Sequence, residues 1–128
     1  MPEIPKILIT TGEPAGVGPD VVLAAACLAH EAHLIATGDR ALLAGRAAAL
    51  GLEVTLVPYS STDTAAVHKP GVLPLIDIPL KSPCTAGALD PQNAGYVLAQ
   101  LDVAVSLCTV GEAQAMVTAP VHKGVVND

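Results

Sequence analysis

The chemically richest stretch of the sequence is its last one, TAPVHKGVVND at residues 118–128. His122 is a candidate acid–base group, because an unperturbed imidazole has a pKa of about 6.5. Lys123 beside it can pair with a substrate carboxylate or phosphate as a point charge. The other interpretation is a solvated loop with an exposed lysine, and Asn127 and Asp128 can line a cleft or cap the next helix. Because charged groups on sheet-end loops often carry function, His122 and Lys123 are our candidates for lining a cleft.

A second candidate is the glycine-rich stretch TGEPAGVGPD at residues 11–20. Its spacing matches neither the dinucleotide-binding fingerprint nor the Walker A motif. Glu13 and Asp20 have no Lys or Arg near them in the sequence, which argues against a bound phosphate at this helix end. One interpretation is a tight strand-to-helix turn, in which Gly16 and Gly18 supply unusual backbone angles. The other is a wall of a cofactor cleft, with Glu13, Gly16 and Gly18 as cofactor-binding candidates and Glu13 accepting hydrogen bonds from ribose hydroxyls.

Histidines and tyrosines are the remaining candidates outside these two stretches. His30 and His33 are three residues apart in HEAH, a spacing that would place both on one face of a helix. No Cys or third His at a matching spacing supports a metal site, so we expect two exposed histidines at the negative end of a helix. We expect His68 to be solvated in a polar loop, and Tyr59 and Tyr96 to pack with their hydroxyls in water.

The elements that must position these groups alternate between strand and helix in the first half of the chain. Short runs rich in β-branched residues predict three strands, and apolar periodicity predicts two helices between them. These segments are KILIT (6–10), DVVLAAACLAHEAH (20–33), LIAT (34–37), RALLAGRAAAL (40–50) and EVTLVPY (53–59). Asp39 is expected to cap the second helix, and Gly51 is expected to end it in a left-handed conformation.

The second half continues the pattern with more proline. Residues 60–71 read as a polar surface loop, and the two prolines of GVLPLIDIPL (71–80) predict an edge strand. A further loop contains Thr85, Ala86 and Gly87, which line either the cleft or a subunit contact. Asp90 and Pro91 are expected to start a third helix, and AQAMVTAP (113–120) predicts another strand. One apolar stripe is predicted on the third helix: Ala94, Val97, Leu98, Leu101, Val105 and Cys108. The alternation predicts the α/β class, with a layered parallel or mixed sheet covered by helices on both faces.

Composition narrows the function classes. The 128 residues suffice for one domain, and 52% of them are hydrophobic while only 2% are aromatic. A net charge of −6 without a basic stripe disfavours nucleic-acid binding and binding to anionic membranes. No apolar run has membrane-spanning length, and the N-terminus does not read as a signal peptide. Three widely spaced cysteines favour a reduced, cytoplasmic protein.

Three stretches together carry a family resemblance: TTGEPAGVGPDVV (10–22), SPCTAGALDPQNAGYV (82–97) and TAPVHKGVVND (118–128). They closely resemble the 4-hydroxythreonine-4-phosphate dehydrogenases of vitamin B6 (pyridoxal phosphate) synthesis. The resemblance implies a two-domain α/β enzyme of the isocitrate/isopropylmalate dehydrogenase type, a homodimer with its active site in a cleft. It also implies NAD and a divalent metal ion, which together serve the oxidation and decarboxylation of a small substrate, 4-phosphooxy-L-threonine.

The chain departs from this family in length. Family members are more than twice as long, and their Gly-His-Thr turn, metal-binding histidines and further substrate-binding residues would lie beyond residue 128. Residues 1–128 are therefore expected to be the N-terminal part of the enzyme, inactive alone and without the metal ligands. Two alternatives remain open: a non-catalytic ligand-binding or interaction domain on the same scaffold, and a related dehydrogenase of another phosphorylated hydroxy acid.

Overall fold

The computed structural model describes residues 4–80 and 93–119, and the elements alternate as the sequence predicts. In chain order they are β1 (Lys6–Thr10), α1 (Gly18–Ala26), β2 (His33–Gly38), α2 (Arg40–Leu50), β3 (Thr55–Pro58), β4 (Val72–Asp77), α3 (Ala94–Thr109) and β5 (Ala115–Thr118). Within these residues, no helix is both long and apolar enough to cross a bilayer.

The five strands form one sheet in the order β3-β4-β2-β1-β5, and every pairing in it is parallel. The prediction that 71–80 forms an edge strand is wrong, because β4 lies between β3 and β2. Proline disfavours interior strands because it has no N–H to donate. Pro74 is tolerated because β4 pairs with β2 only from Leu75 onward, after the proline. Within residues 4–80 and 93–119, the edge strands are β3 and β5.

Alternate side chains of the strands enter two separate cores, as strand geometry requires. One face of the sheet packs against α1 and α2, and the other packs against α3. The first core consists of Val22, Leu23, Ala26, Ala36, Leu43, Ala47, Leu56, Leu73 and Leu75. The second consists of Leu8, Ile35, Ala104 and Ala113, with Tyr59 and Ile76 packed at its border. The predicted α/β class, with helices on both faces of the sheet, is confirmed.

The helix α1 is shorter than predicted. It ends at Ala26, and the predicted helical residues up to 33 form a loop and the start of β2. The Ala26 carbonyl accepts hydrogen bonds from the backbone N–H of Gly71 and from the ring of His68, which are remote in sequence. Because the donors to this last carbonyl are remote in sequence, the residues around Ala26 give little indication that the helix ends there.

Exposure also corrects the face of α1 that the sequence suggests. The helical spacing of Val21, Ala25 and Leu28 predicts an apolar face, but Val21 and Leu28 are 59% and 61% exposed, and Leu28 lies after the helix ends. The buried side chains on α1 are instead those of Val22, Leu23 and Ala26.

The caps of α2 agree with the sequence. The Asp39 carboxylate accepts a hydrogen bond from the backbone N–H of Leu42 at 2.8 Å, as an N-terminal cap does. Gly51 ends the helix at φ 70°. Both predictions are confirmed.

The helix α3 buries a face that overlaps the predicted one only in part. Val97 of the predicted stripe is completely buried, but Leu98 and Val105 are 44% and 53% exposed, and Tyr96 and Gln100 are buried instead. A polar Gln in the buried row breaks the apolar periodicity on which the prediction rests. Asp90 and Pro91, the predicted start of this helix, lie outside the described residues; the described helix is preceded by Asn93.

Candidate functional site

All carboxyl ends of the strands lie at one edge of the sheet, because all strands are parallel. The glycine-rich turn 11–17 follows β1 at this carboxyl edge, and Ala119 follows β5 there. The backbone N–H of Ala119 donates to the Thr10 carbonyl at 3.0 Å. The glycine-rich turn and the first two residues of the stretch 118–128 therefore lie at the edge where open α/β sheets bind ligands.

Gly12 and Gly18 give the glycine turn its shape. Gly12 has φ 77°, in the left-handed region that favours glycine. Gly16 and Gly18 do not have positive φ, so the prediction that they supply unusual backbone angles is wrong. Gly18 is needed for close packing instead: a Cβ there would lie 2.2 Å from the Thr11 carbonyl oxygen and 2.9 Å from Ala119 Cβ. At Gly16, the nearest atoms would be at an ordinary 3.5 Å.

Gln100 of α3 holds the turn in place, a residue that the sequence analysis did not single out. Its side-chain oxygen accepts a hydrogen bond from the Gly12 N–H at 3.1 Å, and its Nε2 donates to the Gly12 carbonyl at 3.0 Å. The Thr37 hydroxyl of β2 also donates to Gln100 Oε1, at 3.0 Å. The signal that could have found it is a polar residue inside an otherwise apolar helical row.

Glu13 is the candidate binding group of the turn. Its side chain is only 3% exposed, and Oε1 accepts one long hydrogen bond, from Ala15 N at 3.5 Å. Oε2 is buried and has no hydrogen-bond partner among the described residues. A buried carboxylate oxygen without a donor is costly, so this atom is suited to accept a hydrogen bond from a ligand.

Two neutral oxygens near the same edge are also buried without a partner. They are Oγ1 of Thr10, the last residue of β1, and Oδ1 of Asn93, which precedes α3. The start of α3 lies at this edge, because the Tyr96 hydroxyl accepts the Asp39 N–H that follows β2, at 2.8 Å. This contact also corrects the expectation of a solvated Tyr96 hydroxyl. The carboxyl edge thus collects acceptors whose hydrogen bonds the described residues do not supply.

A shallow cleft of about 400 Å³ lies at the carboxyl ends of β2 and β4. Asp39, Arg40 and Asp77 contribute its polar lining. Both carboxylates are engaged with backbone: Asp39 accepts from Leu42 N and Leu80 N, and Asp77 accepts from Arg40 N. The cleft therefore extends the concave edge beside the turn without adding a free carboxylate.

Asp20 has a cationic partner that sequence proximity did not reveal. Arg46 of α2 makes a bidentate ion pair with the Asp20 carboxylate, at 2.8 Å and 2.6 Å. The expectation of no basic residue near this end of α1 is therefore wrong. Because the pair is satisfied internally, Asp20 is a structural residue, in contrast to Glu13.

The histidines lie at the opposite, amino edge of the sheet and differ from their predicted environment. His33 is buried in β2, and its Nδ1 accepts the Ala66 N–H at 2.9 Å. His68 is buried too, and its ring donates to the Ala26 carbonyl at 2.7 Å, so the prediction of a solvated His68 is wrong. His30 is half-buried and contacts the Ala25 carbonyl. Burial, followed by the positive charge of Lys6, lowers the pKa of His33 below its usual value.

A small cavity of about 130 Å³ lies between β2, β4 and the segment that connects β3 to β4. His33, His68 and Lys69 contribute to its lining. His33 Nε2 is buried without a hydrogen-bond partner among the described residues, as Glu13 Oε2 is. We place the candidate site at the carboxyl edge because open α/β sheets bind ligands at the carboxyl ends of their strands.

Tyr59 follows the carboxyl end of β3, and its hydroxyl is the centre of a polar network with Lys6 and Glu112, which lie at the amino ends of β1 and β5. Lys6 Nζ donates to the Tyr59 hydroxyl at 2.9 Å, and this hydroxyl donates to Glu112 Oε1 at 2.7 Å. The expectation of a solvated Tyr59 hydroxyl is therefore wrong. Burial and the neighbouring Glu112 carboxylate raise the pKa of Tyr59.

Several predicted site residues lie outside the described residues. They are His122, Lys123, Asn127 and Asp128, together with Thr85, Ala86 and Gly87. Their placement stays a prediction. Among residues 4–80 and 93–119, no group of three or more His, Cys, Asp or Glu side chains could hold a metal ion. The described residues therefore do not fit a metal site.

Comparison with known proteins adds a family. Residues 30–128 match the model of the pyridoxal phosphate biosynthetic protein PdxA. The chain is 53% identical over 128 residues to a 4-hydroxythreonine-4-phosphate dehydrogenase of Chromobacterium violaceum, covering all of this chain and 38% of that protein. It is 46% identical over 124 residues to the protein of that name from Acidithiobacillus ferrooxidans, covering 97% of this chain and 37% of the relative.

A solved structure agrees with these matches. The crystal structure of a 4-hydroxythreonine-4-phosphate dehydrogenase from Burkholderia phymatum superimposes with a TM-score of 0.87 at 25% identity. The superimposed region covers 98% of this chain and 39% of the Burkholderia phymatum chain. The chain thus spans less than two fifths of the length of these relatives. On the matches in sequence and in fold, it belongs to the PdxA family of pyridoxal phosphate biosynthetic proteins.

Proposed function

We propose that this chain forms the N-terminal part of an NAD-dependent dehydrogenase. Its substrate would be 4-phosphooxy-L-threonine, which is oxidised and decarboxylated in vitamin B6 synthesis. Relatives that match the whole chain carry the name 4-hydroxythreonine-4-phosphate dehydrogenase, which supports the reaction class. The observation that carries the proposal for this chain's own residues is the unpartnered Glu13 oxygen at the carboxyl edge of the sheet.

Glu13 fits a role in holding the cofactor. Ribose hydroxyls are neutral donors, and a buried carboxylate oxygen without a donor is a strong acceptor for them. Gly18 has no side chain, so the start of α1 can pack closely against the turn that contains Glu13. This closely packed backbone would form one wall of the cofactor cleft. When NAD is bound, it supplies a hydride acceptor.

The stretch after Ala119 is proposed to complete the cleft. His122 would hold or release the proton of the substrate hydroxyl, and Lys123 would pair with the substrate's carboxylate or phosphate. Ala119 lies against Gly18, so the residues that follow it start from the same edge as Glu13. The divalent metal implied by the family resemblance would need ligands from outside the described residues. We propose a cytoplasmic, homodimeric enzyme with a two-domain subunit.

The test measures NADH formation by the protein made from the complete reading frame, with 4-phosphooxy-L-threonine and NAD. We expect turnover, and we expect none from residues 1–128 alone. A protein from the complete frame that folds, yet neither binds NAD nor oxidises this substrate, would contradict the proposal. Turnover by residues 1–128 would show instead that the chain is a complete catalyst.

A second measurement addresses Glu13 directly. Glu13→Gln keeps the shape of the side chain but removes its charge. Since a hydrogen bond to a charged group contributes roughly 1.5–3 kcal/mol, we expect the KM for NAD to rise about tenfold or more. Glu53→Gln is the matched control, because Glu53 is exposed and lies before β3, at the opposite edge. An unchanged KM for NAD in Glu13→Gln would show that the Glu13 carboxylate does not bind the cofactor.

A further inference from the structure

Gln100 is a buried residue whose hydrogen bonds converge on the turn that carries Glu13. We propose that Gln100 is a positioning residue for the cofactor. By holding both backbone groups of Gly12, it fixes the direction in which the Glu13 carboxylate presents its unpartnered oxygen. The inference rests on the proposed function, in which that oxygen accepts a hydrogen bond from the cofactor.

The first step of the argument is the geometry around Gly12. A side-chain amide presents a donor and an acceptor in one plane and can therefore pair with the backbone N–H and carbonyl of one residue. Gln100 does so with the N–H and the carbonyl of Gly12, at 3.1 Å and 3.0 Å. Glycine has the widest backbone freedom of any residue, so a turn built on Gly12 at φ 77° needs such an external restraint.

The second step is the anchoring of Gln100 itself. Its side chain is completely buried, and Oε1 also accepts from the Thr37 hydroxyl of β2 at 3.0 Å. Thr11 Oγ1 lies 3.1 Å from the same oxygen and 2.9 Å from the Thr37 carbonyl, so its single proton is shared between two acceptors. Gln100 is therefore held from β2 while it holds the turn after β1. Through Gln100, the sheet therefore fixes the position of the glycine turn.

The third step is the location of Glu13 relative to this restraint. Glu13 directly follows Gly12, and its only described side-chain hydrogen bond is the 3.5 Å contact with Ala15 N. So weak a contact does little to orient a carboxylate. The orientation of Glu13 therefore depends on the backbone before it, which Gln100 restrains.

The test is a double-mutant cycle on NADH affinity, in the protein made from the complete reading frame. Gln100→Met removes the amide while keeping the length of the side chain, and Glu13→Gln removes the charged acceptor. We expect each single variant to weaken NADH binding about tenfold, and the double variant to be weakened by little more than either. A merely structural role of Gln100 would instead give additive losses of about a hundredfold in the double variant.

Two further variants keep the test decisive. Gln114→Met is the matched control, because Gln114 binds Lys6 N and the Gly111 carbonyl at the amino edge; its NADH affinity should stay within about twofold of the wild type. Gln100→Glu retains the acceptor and loses the donor, and it decides the question if Gln100→Met does not fold. We expect Gln100→Glu to weaken NADH binding less than Gln100→Met does, and wild-type affinity in folded Gln100→Glu would then overturn the inference.

The outcomes separate this inference from the proposed function. A wild-type protein that does not bind NADH overturns both. Weaker binding in Glu13→Gln together with wild-type affinity in folded Gln100→Met overturns only the role of Gln100. Weaker binding in Gln100→Met together with wild-type affinity in Glu13→Gln also overturns it, because Gln100 would then not act through Glu13.

Discussion

At the amino ends of β1 and β5, Lys6 and Glu112 bond to the Tyr59 hydroxyl, whereas at the carboxyl edge Glu13 keeps a carboxylate oxygen without a partner among the described residues. Both edges are built from the same parallel strands, and both bury polar side chains. At the amino edge most of them join elements, and His33 Nε2 is an exception without a partner among the described residues. The difference teaches that burial of a polar group does not identify a site; an unmet hydrogen bond at the edge where open α/β sheets bind ligands is the better criterion.

The largest effect is expected for Gly18→Ala. The new Cβ would lie 2.2 Å from the Thr11 carbonyl oxygen, a backbone atom that cannot move without shifting β1. We expect a loss of about 3 kcal/mol or more in the free energy of unfolding, measured by denaturant titration.

Gly45→Ala is the control for this prediction. Gly45 lies inside α2, where a Cβ meets nothing within 4 Å, so Ala should stabilise by roughly 0.5–1 kcal/mol. Equal stabilities of the two variants would mean that the packing around Gly18 is less tight than the structure shows.

Tyr59→Phe tests the amino edge. It removes the hydroxyl that links Lys6 to Glu112, so the free energy of unfolding should fall by about 1–2 kcal/mol. Affinity for NADH should not change, because the network lies at the other edge. A marked loss of NADH affinity in a folded Tyr59→Phe protein would erase the distinction between the two edges.

His33 should make the amino edge sensitive to acid. Its pKa is lowered in the fold, so the folded state binds a proton less readily than the unfolded chain. Stability is therefore full above the ordinary pKa of about 6.5 and falls as the pH drops below it. Lys6 and His68 add to this effect, whereas Asp63 opposes it.

The measurement for His33 is the free energy of unfolding as a function of pH, in the wild type and in His33→Asn. Asn can accept the Ala66 N–H without titrating, so the loss below about pH 6.5 should be smaller in the variant. Identical pH profiles would show that other groups cause the acid sensitivity.

The smallest effect is expected for Asp20→Asn, within the carboxyl edge itself. The ion pair with Arg46 is about one-quarter exposed, and partly exposed pairs contribute about 1 kcal/mol or less. Asp20→Asn should leave NADH affinity unchanged, whereas Glu13→Gln weakens it. If the two variants weakened binding equally, the unmet hydrogen bond of Glu13 would not be what distinguishes the site.

The sequence predicted the parts of this fold that depend on local patterns. The alternation of strands and helices, the Asp39 cap and the Gly51 terminus depend on neighbouring residues and are confirmed. The interior position of β4 could not be predicted, because it depends on where the pairing with β2 begins relative to Pro74.

The candidate site was predictable only in part, for the same reason. Glu13 and its loop could be selected, because a glycine-rich turn after a strand has a recognisable pattern. The restraint by Gln100 joins residues 88 positions apart, and the partner of Asp20 lies 26 positions away. Such contacts arise only once α3 and α2 have packed on the sheet.

The strand order has a consequence for how this chain acquires its structure during synthesis. β3 leaves the ribosome before β4, yet β4 is the one strand that pairs with it in the part of the chain that the structure describes. The Ala26 carbonyl at the end of α1 likewise lacks these two hydrogen-bond donors until His68 and Gly71 have been synthesised. A nascent polypeptide that has not yet exposed Val72–Asp77 therefore holds an unpaired strand and an unfinished helix end, so assembly of this half of the sheet is delayed until β4 emerges.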